Sequence, residues 1–304
     1  MAKDSKGRNK KYAGGIGVGF LFKRMAIVGL GLIGGSLARV AKEKMVVETI
    51  IGLGRRAENL ELALTAGSID EYSLDLRQGL DDVDILVIAT PVGMIVNLVR
   101  EMSGCLKPGT IITDVGSVKT SIVLEIESFL PTHIHFVGGH PIAGTENSGF
   151  KASFAQLFQG ARCILTPNKN TNPAAVEKVK HLWERAGCDV MLMEAERHDR
   201  IFAAVSHLPH LIAYSLINAV IDVDKKEGGI VDFSAGGLRD FTRIAASDPV
   251  MWRDIFFMNK DNMLPLIDHF QKVLEELKSN ILKEDSEKLT SEFDRSRTFR
   301  RKIS

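Results

Sequence analysis

The stretch MAIVGLGLIGG, residues 25–35, decides the fold class of this chain. Its apolar start is typical of a buried strand, and Gly29, Gly31 and Gly34 then form a GxGxxG pattern that opens a helix. Glycines at these places allow a tight turn, a close backbone approach to a pyrophosphate and close helix packing, while the helix N-terminus supplies amide donors. The stretch therefore predicts a dinucleotide-binding loop after the first strand of an α/β domain.

The sequence around this loop divides into two regions. From Met25 to about Met193, short runs rich in Val, Ile and Leu alternate with amphipathic stretches, as in a doubly wound, mainly parallel sheet. From residue 194 to residue 304, only helical periodicity is found. We therefore predict a Rossmann-like α/β domain over 25–193 and an all-α domain over 194–304. The apolar face of the last helices must be buried, either on a partner subunit or within the domain.

Composition excludes several classes of protein. Residues 1–24 carry seven basic side chains and one acidic one, without a signal cleavage site or interleaved aromatics, and we expect a disordered basic leader with no role in binding nucleic acid. Three unpaired cysteines indicate a reducing cytoplasm. The apolar stretch 205–221 contains two histidines and a proline, so it predicts a buried helix and no membrane span.

The end of the second predicted strand bears on the cofactor. An NAD enzyme usually has an acidic residue there, but this chain has Gly54, Arg55 and Arg56. Two guanidiniums favour the 2′-phosphate of NADP, although the arginines could also be solvated or stack on the adenine, which leaves NAD open. The residues expected to contact the cofactor are Gly29, Gly31, Leu32, Ile33, Gly34, Arg55, Arg56, Thr90 and Pro91.

A histidine follows another predicted strand. In VGGHP, residues 137–141, the glycines let the chain pass close to the cofactor and Pro141 favours an extended His140, whose imidazole can accept a proton from a hydroxyl as its carbon loses hydride. Ser117 lies at a predicted helix N-cap, where capping and substrate contact are both open.

Polar residues also mark the helical region. His207 and His210 lie three apart in SHLPH, but no further ligands occur at a suitable spacing, so no metal site is predicted. In residues 236–254, Arg243 has the planar guanidinium that suits a substrate carboxylate, whereas a surface ion-pair network is favoured for Arg239 and Arg253.

These segments together resemble the prephenate dehydrogenase family along the chain from Met25. The resemblance is carried by VGLGLIGGSLA, TDVGSVK, VGGHPIAGTE, SHLPH and GLRDFTRIAASDPVMWRD, in this order. It implies a Rossmann-like domain followed by a helical dimerisation domain, a cytoplasmic homodimer, and oxidative decarboxylation of prephenate to 4-hydroxyphenylpyruvate in tyrosine biosynthesis with NAD or NADP and no metal.

The resemblance also implies roles for individual residues. His140 would assist deprotonation of the ring hydroxyl, and Ser117 would orient His140. Arg243 would bind a substrate carboxylate. The other substrate-binding residues implied are His210, Thr145 and Trp252, the last reaching the pocket from the partner subunit.

The sequence shows two departures from the family pattern and leaves two alternatives open. The acid after strand two is missing, which leaves the preference for NAD open. No chorismate mutase segment or C-terminal regulatory domain is recognisable, so a monofunctional enzyme is implied. Arogenate is an alternative substrate, although His210 favours prephenate, and a β-hydroxyacid dehydrogenase would instead require a catalytic lysine in the helical region.

Overall fold

The computed structural model describes residues 19–145 and 147–303, and its first half is built on a six-stranded parallel sheet. The strand order is β3-β2-β1-β4-β5-β6, so the winding reverses between β1 and β4. The strands are β1 (Phe22–Val28), β2 (Val47–Leu53), β3 (Glu71–Ser73), β4 (Ile85–Ile88), β5 (Ile111–Asp114) and β6 (His135–Val137). This confirms the predicted Rossmann-like domain, in which ligands bind at the carboxyl ends of the strands beside the reversal.

Four helices cross between these strands and pack on the two faces of the sheet. They are α1 (Leu32–Glu43), α2 (Ala57–Thr65), α3 (Val92–Met102) and α4 (Thr120–Phe129). Both faces are therefore covered, which explains why the strands are apolar along their whole length rather than alternating.

The ordered fold begins before the predicted boundary at Met25. Strand β1 starts at Phe22, which pairs with Val47 of β2 and is only 3% exposed. Because this aromatic ring is buried, the strand includes residues 22–24. The prediction of a disordered leader up to residue 24 is therefore wrong for residues 22–24. Residues 1–18 of that predicted leader lie outside the described residues.

A second, three-stranded sheet follows β6 and carries His140. Its strands are β7 (Gly139–Pro141), β8 (Arg162–Leu165) and β9 (Asp189–Leu192), with β7 antiparallel to β8 and His140 opposite Ile164. Helix α5 (Pro173–Ala186) connects β8 to β9 and ends at Gly187, whose φ of 114° gives a left-handed C-cap. His140 therefore lies within a short strand rather than after the end of one.

The described chain beyond Glu194 is helical, as predicted. Helix α6 (Ala195–Phe202) continues through a π-helical turn (Ala203–His207) into α7 (Leu208–Glu227), giving one long helix. The helices α8 (Gly236–Thr242), α9 (Pro249–Met258), α10 (Lys260–Leu282) and α11 (Ser286–Arg300) follow.

Much of the apolar surface of this region is uncovered in the single chain. Between residues 205 and 221 only His207 and Ala213 are buried, so the prediction of a buried helix is wrong for the isolated chain. The continuous helix Ala195–Glu227 is long and apolar enough to cross a membrane by length and composition alone. Side chains such as Val205, Phe257 and Leu282 are 65%, 69% and 83% exposed. The apolar faces of these helices are thus available to another surface.

Candidate active site

The glycine-rich loop has the shape that a dinucleotide requires. A Cβ on Gly29 would lie 2.6 Å from the carbonyl oxygen of Ala89, and the φ of Gly29 is 93°, so only glycine fits the turn. A Cβ on Gly34 would meet the carbonyl oxygen of Gly29, whereas a Cβ on Gly31 would meet nothing within 4 Å. Gly29 and Gly34 therefore permit close packing, and Gly31 leaves the approach to the helix open.

This loop can bind the pyrophosphate of a dinucleotide. Gly31 is the N-cap of α1 and provides no capping side chain. The first N–H groups of the helix therefore lack a side-chain partner and can donate hydrogen bonds to an anion. Leu32 and Ile33, the other predicted contacts of this loop, form the first turn of α1.

The remaining predicted cofactor residues follow β2 and β4. Thr90 and Pro91 come after β4, the neighbour of β1 across the reversal of the sheet, and the hydroxyl of Thr90 is buried without a hydrogen-bond partner. Arg55 and Arg56 follow β2 on the other side of β1 and are both exposed. The structure thus brings all these residues to one edge of the sheet.

A buried carboxylate organises the segments on which Ser117 and His140 lie. Asp114 ends β5 and forms an ion pair with Lys119, and both side chains are fully buried. The Asp114 carboxylate also accepts the backbone N–H groups of Gly116 at 2.8 Å and Gly139 at 3.1 Å. Because these residues precede Ser117 and His140, one side chain fixes the backbone at both places.

Helix α4 starts later than the sequence predicted. Its first residue is Thr120 and its N-cap is Lys119, so the interpretation of Ser117 as an N-cap is wrong. The N–H of Gly116 is bound to Asp114, which keeps the chain in a turn at this point. The carboxylate of Asp199 instead accepts the N–H groups of Lys119 at 2.9 Å and Thr120 at 2.8 Å. A residue from the helical region thus caps a helix of the first domain.

His140 is held by a histidine that sequence reasoning missed. Its Nδ1 lies 2.8 Å from Nε2 of His198, and its ring packs against Phe202 at 4.9 Å between centroids. Burial, and then the nearby His198, Lys119 and His207, hold the pKa of His140 well below its usual value, so the imidazole is neutral at pH 7.

The role of orienting His140, which the family resemblance gave to Ser117, belongs to His198 in this structure. Among the described residues no hydrogen bond joins Ser117 to His140, although each follows a glycine whose N–H the Asp114 carboxylate accepts. A serine hydroxyl at this position remains available to a ligand.

His198 is in turn bound to Asp199. The His198 Nδ1 lies 2.8 Å from Oδ1 of Asp199, and both residues are buried. Burial alone would raise the pKa of Asp199, but the hydrogen bonds from His198, Thr120 and Lys119 outweigh it and the pKa is lowered. Burial lowers the pKa of His198 despite its bond to Asp199. The only signal in the sequence was an HD pair on an amphipathic helix, which gives no indication of its partner.

His207, on the π-helical turn, is a second buried histidine. Its Nδ1 lies 3.1 Å from Nδ2 of Asn259, which also donates to the backbone oxygen of Asp199 at 2.9 Å. Burial lowers the pKa of His207 to about 4. His207 is therefore neutral at pH 7, and it lies close enough to His140 to lower the pKa of His140.

His210, Trp252 and Arg243 form the third part of the site. The ring of His210 stacks on Trp252 at 3.6 Å between centroids, and its Nδ1 is bonded to the backbone oxygen of Ser206 at 2.8 Å. Burial lowers the pKa of His210, and the positive charge of Arg243 lowers it further. Within its own chain Trp252 is buried against His207 and His210, and the contribution of Trp252 to the pocket of a partner subunit stays a prediction.

Thr145 lies apart from these contacts. It is exposed in the loop after β7, where its hydroxyl accepts the N–H of Asn147 at 3.2 Å. No group of three or more His, Cys, Asp or Glu side chains in the described ranges is arranged to hold a metal ion.

A Rossmann-like sheet, an open glycine-rich loop and a neutral histidine at the same edge define a nicotinamide-dependent oxidoreductase. Comparison with known proteins gives the family. Residues 37–192 match the prephenate dehydrogenase nucleotide-binding domain, and residues 194–295 match the prephenate dehydrogenase dimerization domain. The chain belongs to the prephenate dehydrogenase family.

Individual relatives agree with this assignment. A cyclohexadienyl dehydrogenase from Zymomonas mobilis is 39% identical over 283 residues, which cover 92% of this chain and 96% of that protein. A prephenate dehydrogenase from Bacillus subtilis is 36% identical over 90% of this chain and 74% of that protein. The crystal structure of prephenate dehydrogenase from A. aeolicus, in complex with hydroxyphenyl propionate and NAD+, has a TM-score of 0.88 at 37% identity and covers 93% of this chain and 98% of that one.

Proposed function

We propose that this chain catalyses the oxidative decarboxylation of prephenate to 4-hydroxyphenylpyruvate. The observation that carries the proposal is His140, a neutral imidazole held by His198 at the edge of the sheet where the glycine-rich loop lies. When bound, the oxidised nicotinamide supplies the hydride acceptor.

His140 would take the proton of the ring hydroxyl as the C–H bond at the same ring carbon breaks and its electron pair leaves as hydride. The carboxylate at the opposite ring carbon then leaves as CO2, and the electron pair of that broken bond completes the aromatic ring. The resulting phenolate takes the proton back from His140. Because aromatisation drives the loss of CO2, the protein mainly has to align the substrate and hold its charges.

The carboxylates of the substrate would be bound in the helical part of the site. The positive charge of Arg243 lowers the pKa of His210, and a guanidinium binds a carboxylate through two parallel hydrogen bonds. His210 and Trp252 would form the wall beside it. Ser117 and Thr145 would contribute hydroxyl groups, Ser117 from beside His140 and Thr145 from the loop that follows β7.

Arogenate is the second candidate substrate. It carries an ammonium group where prephenate has a keto oxygen, and a name such as cyclohexadienyl dehydrogenase, given to the relative from Zymomonas mobilis, fits either ring compound. The positive charge of Arg243 beside His210 favours the keto acid, since it disfavours an additional cation nearby.

The cofactor site accommodates NAD or NADP, and the end of β2 favours the phosphorylated form. Residues 54–57, directly after Leu53, contain no carboxylate, and Arg55 and Arg56 are exposed with no ion pair among the described residues. A 2′-phosphate there would gain two cations without meeting an acid. We therefore expect NADP to be used at least as well as NAD.

We also propose that the protein is a cytoplasmic homodimer without nucleic-acid or membrane partners. The exposed apolar faces of the helical region and its match to a dimerization domain support the dimer. The three free cysteines support a reducing compartment.

The test is an assay of nicotinamide reduction with prephenate and arogenate, each with NAD and with NADP. His140→Asn is expected to lower kcat by about a hundredfold or more while cofactor affinity, measured by fluorescence titration, is kept, because a general base contributes on this scale. His133→Asn, at an exposed position, is the matched control and should match the wild type. Absence of turnover with both ring compounds would refute the proposed function, and full activity of His140→Asn would refute the role of His140.

A further inference from the structure

Three side chains form a continuous line of hydrogen bonds that begins at Asp199. This carboxylate accepts two backbone N–H groups, from Lys119 and Thr120, which can only donate. Both bonds favour its ionised form, in agreement with its lowered pKa. An ionised carboxylate is an acceptor only, so the Nδ1 of His198, 2.8 Å away, must carry the proton of that bond.

The position of this first proton fixes the next ones. A neutral imidazole has a single N–H, so a His198 that donates from Nδ1 presents a lone pair at Nε2. That lone pair lies 2.8 Å from Nδ1 of His140, which must therefore be the donor. The neutral ring of His140 then has its lone pair at Nε2. Burial keeps the pKa of both histidines below the usual value, so neither ring carries the second proton that would reverse this order.

We propose that His198 and Asp199 are positioning residues that lock His140 in the tautomer protonated at Nδ1, which leaves Nε2 as the acceptor for the proton of the substrate. This proposal rests on the role of His140 in the proposed function. Neither positioning residue touches the substrate; they act through His140.

The same line of contacts serves the step in which the proton moves. When Nε2 of His140 takes the hydroxyl proton, the ring becomes an imidazolium and its Nδ1–H bond to His198 becomes charge-assisted. The negative charge of Asp199 lies one imidazole further along and stabilises this cation. When the phenolate takes the proton back, the original order of protons is restored without exchange with solvent.

The arrangement also explains why a buried polar network crosses between the two domains. His140 and the capped end of α4 belong to the nucleotide-binding region, whereas His198 and Asp199 belong to α6. Buried polar groups are costly unless each is paired, and here the bond of His198 to His140 fastens α6 to β7 while the two backbone bonds of Asp199 fasten α6 to α4. Docking of the helical region and orientation of the base are therefore one event.

The tautomer can be measured directly by NMR of protein with 15N-labelled histidine, with His140→Asn used to assign the signals. At pH 7.5 the proposal expects Nδ1 of His140 to be protonated and Nε2 to show the shift of an unprotonated nitrogen. A His140 protonated at Nε2 would overturn it. This measurement needs no substrate, so it decides the proposal even if the enzyme fails to oxidise either ring compound, an outcome that refutes only the proposed function.

Variants at position 198 provide the kinetic test. His198→Phe keeps an aromatic ring beside Phe202 but removes both hydrogen bonds, and we expect kcat to fall by about 10²–10⁴-fold, the range for loss of a correctly oriented base. His198→Gln keeps a donor toward Asp199 and an acceptor toward His140, and should remain within about tenfold of wild type.

His181→Phe, at an exposed position of α5, is the control and should leave kcat unchanged. Equal losses in His198→Gln and His198→Phe would overturn the proposal, because a purely structural role would not distinguish them. Wild-type kcat in His198→Phe would also overturn it. If His198→Phe fails to fold, His198→Gln and the NMR measurement still decide between the two tautomers.

Discussion

Acidification is expected to destabilise this protein at a higher pH than carboxylate titration can explain, and His207 allows the effect to be calculated. Its side chain is fully buried, and burial lowers its pKa from 6.5 in the unfolded chain to about 4 in the folded one. The folded state therefore binds fewer protons than the unfolded state between these values, so stability is complete above pH 6.5 and is lost as the pH falls toward 4. The loss from this one group is about 2 kcal/mol at pH 5 and about 3 kcal/mol at pH 4.

The measurement is urea unfolding from pH 7.5 to pH 4, at one protein concentration, followed by tryptophan fluorescence. Trp252 is one of two tryptophans and its ring lies 6.0 Å from His207, so the signal reports on the relevant region. His140 and His198 also have lowered pKa values and add to the loss with the same sign, so the comparison with His207→Gln isolates the contribution of His207.

The free energy of unfolding of His207→Gln should fall less steeply with decreasing pH than that of the wild type. Between pH 7.5 and pH 4 the wild type should lose about 3 kcal/mol more than the variant. His269→Gln, at an exposed position of α10, should run parallel to wild type. Parallel curves for wild type and His207→Gln would refute the reasoning, since they would mean that the buried imidazole binds its proton equally well in both states.

Two further predictions concern binding. Arg243→Ala should raise the KM for the ring substrate by about 10-fold to 100-fold and lower kcat much less, because a charge-assisted bond to a carboxylate acts mainly in binding. The control Arg239→Ala, at an exposed position, should change neither KM nor kcat. An unaltered KM in Arg243→Ala would assign that arginine to structure. Gly31→Ala should weaken dinucleotide binding without lowering the melting temperature, since its Cβ would project into open space, whereas Gly34→Ala should lower the melting temperature because its Cβ would collide with the backbone of Gly29. Equal melting temperatures for the two variants would contradict this account of the loop.

The features that the sequence predicted are those with a local pattern. The GxGxxG motif follows a strand and opens a helix within ten residues, so the loop could be placed from spacing alone. The all-α region after Glu194 follows from apolar positions three and four apart. His140 could be singled out because glycines and a proline surround it in the chain.

The contacts that define the site chemistry have no such local pattern. His198 lies 58 residues after His140, and Asp199 lies 79 residues after Thr120, whose amide it accepts. Only the docking of α6 on α4 brings them together, and a single sequence has no periodicity that encodes it. For the same reason the stacking of Trp252 on His210 was not predicted: it depends on how α9 packs on the long helix, which the residue spacing does not determine.

The helical region therefore does more than offer a surface for a second subunit. The nucleotide-binding region supplies the glycine-rich loop and His140. The side chains that orient His140, His198 and Asp199, come from the helix Ala195–Glu227. Its π-helical turn follows His198 and ends at His207, and such turns change which side chains face inward. Both histidines are buried on the side that contacts the first domain. A chain that ended before this helix would keep the loop for the cofactor and His140, but would lose the hydrogen bond that determines which nitrogen of His140 can accept a proton.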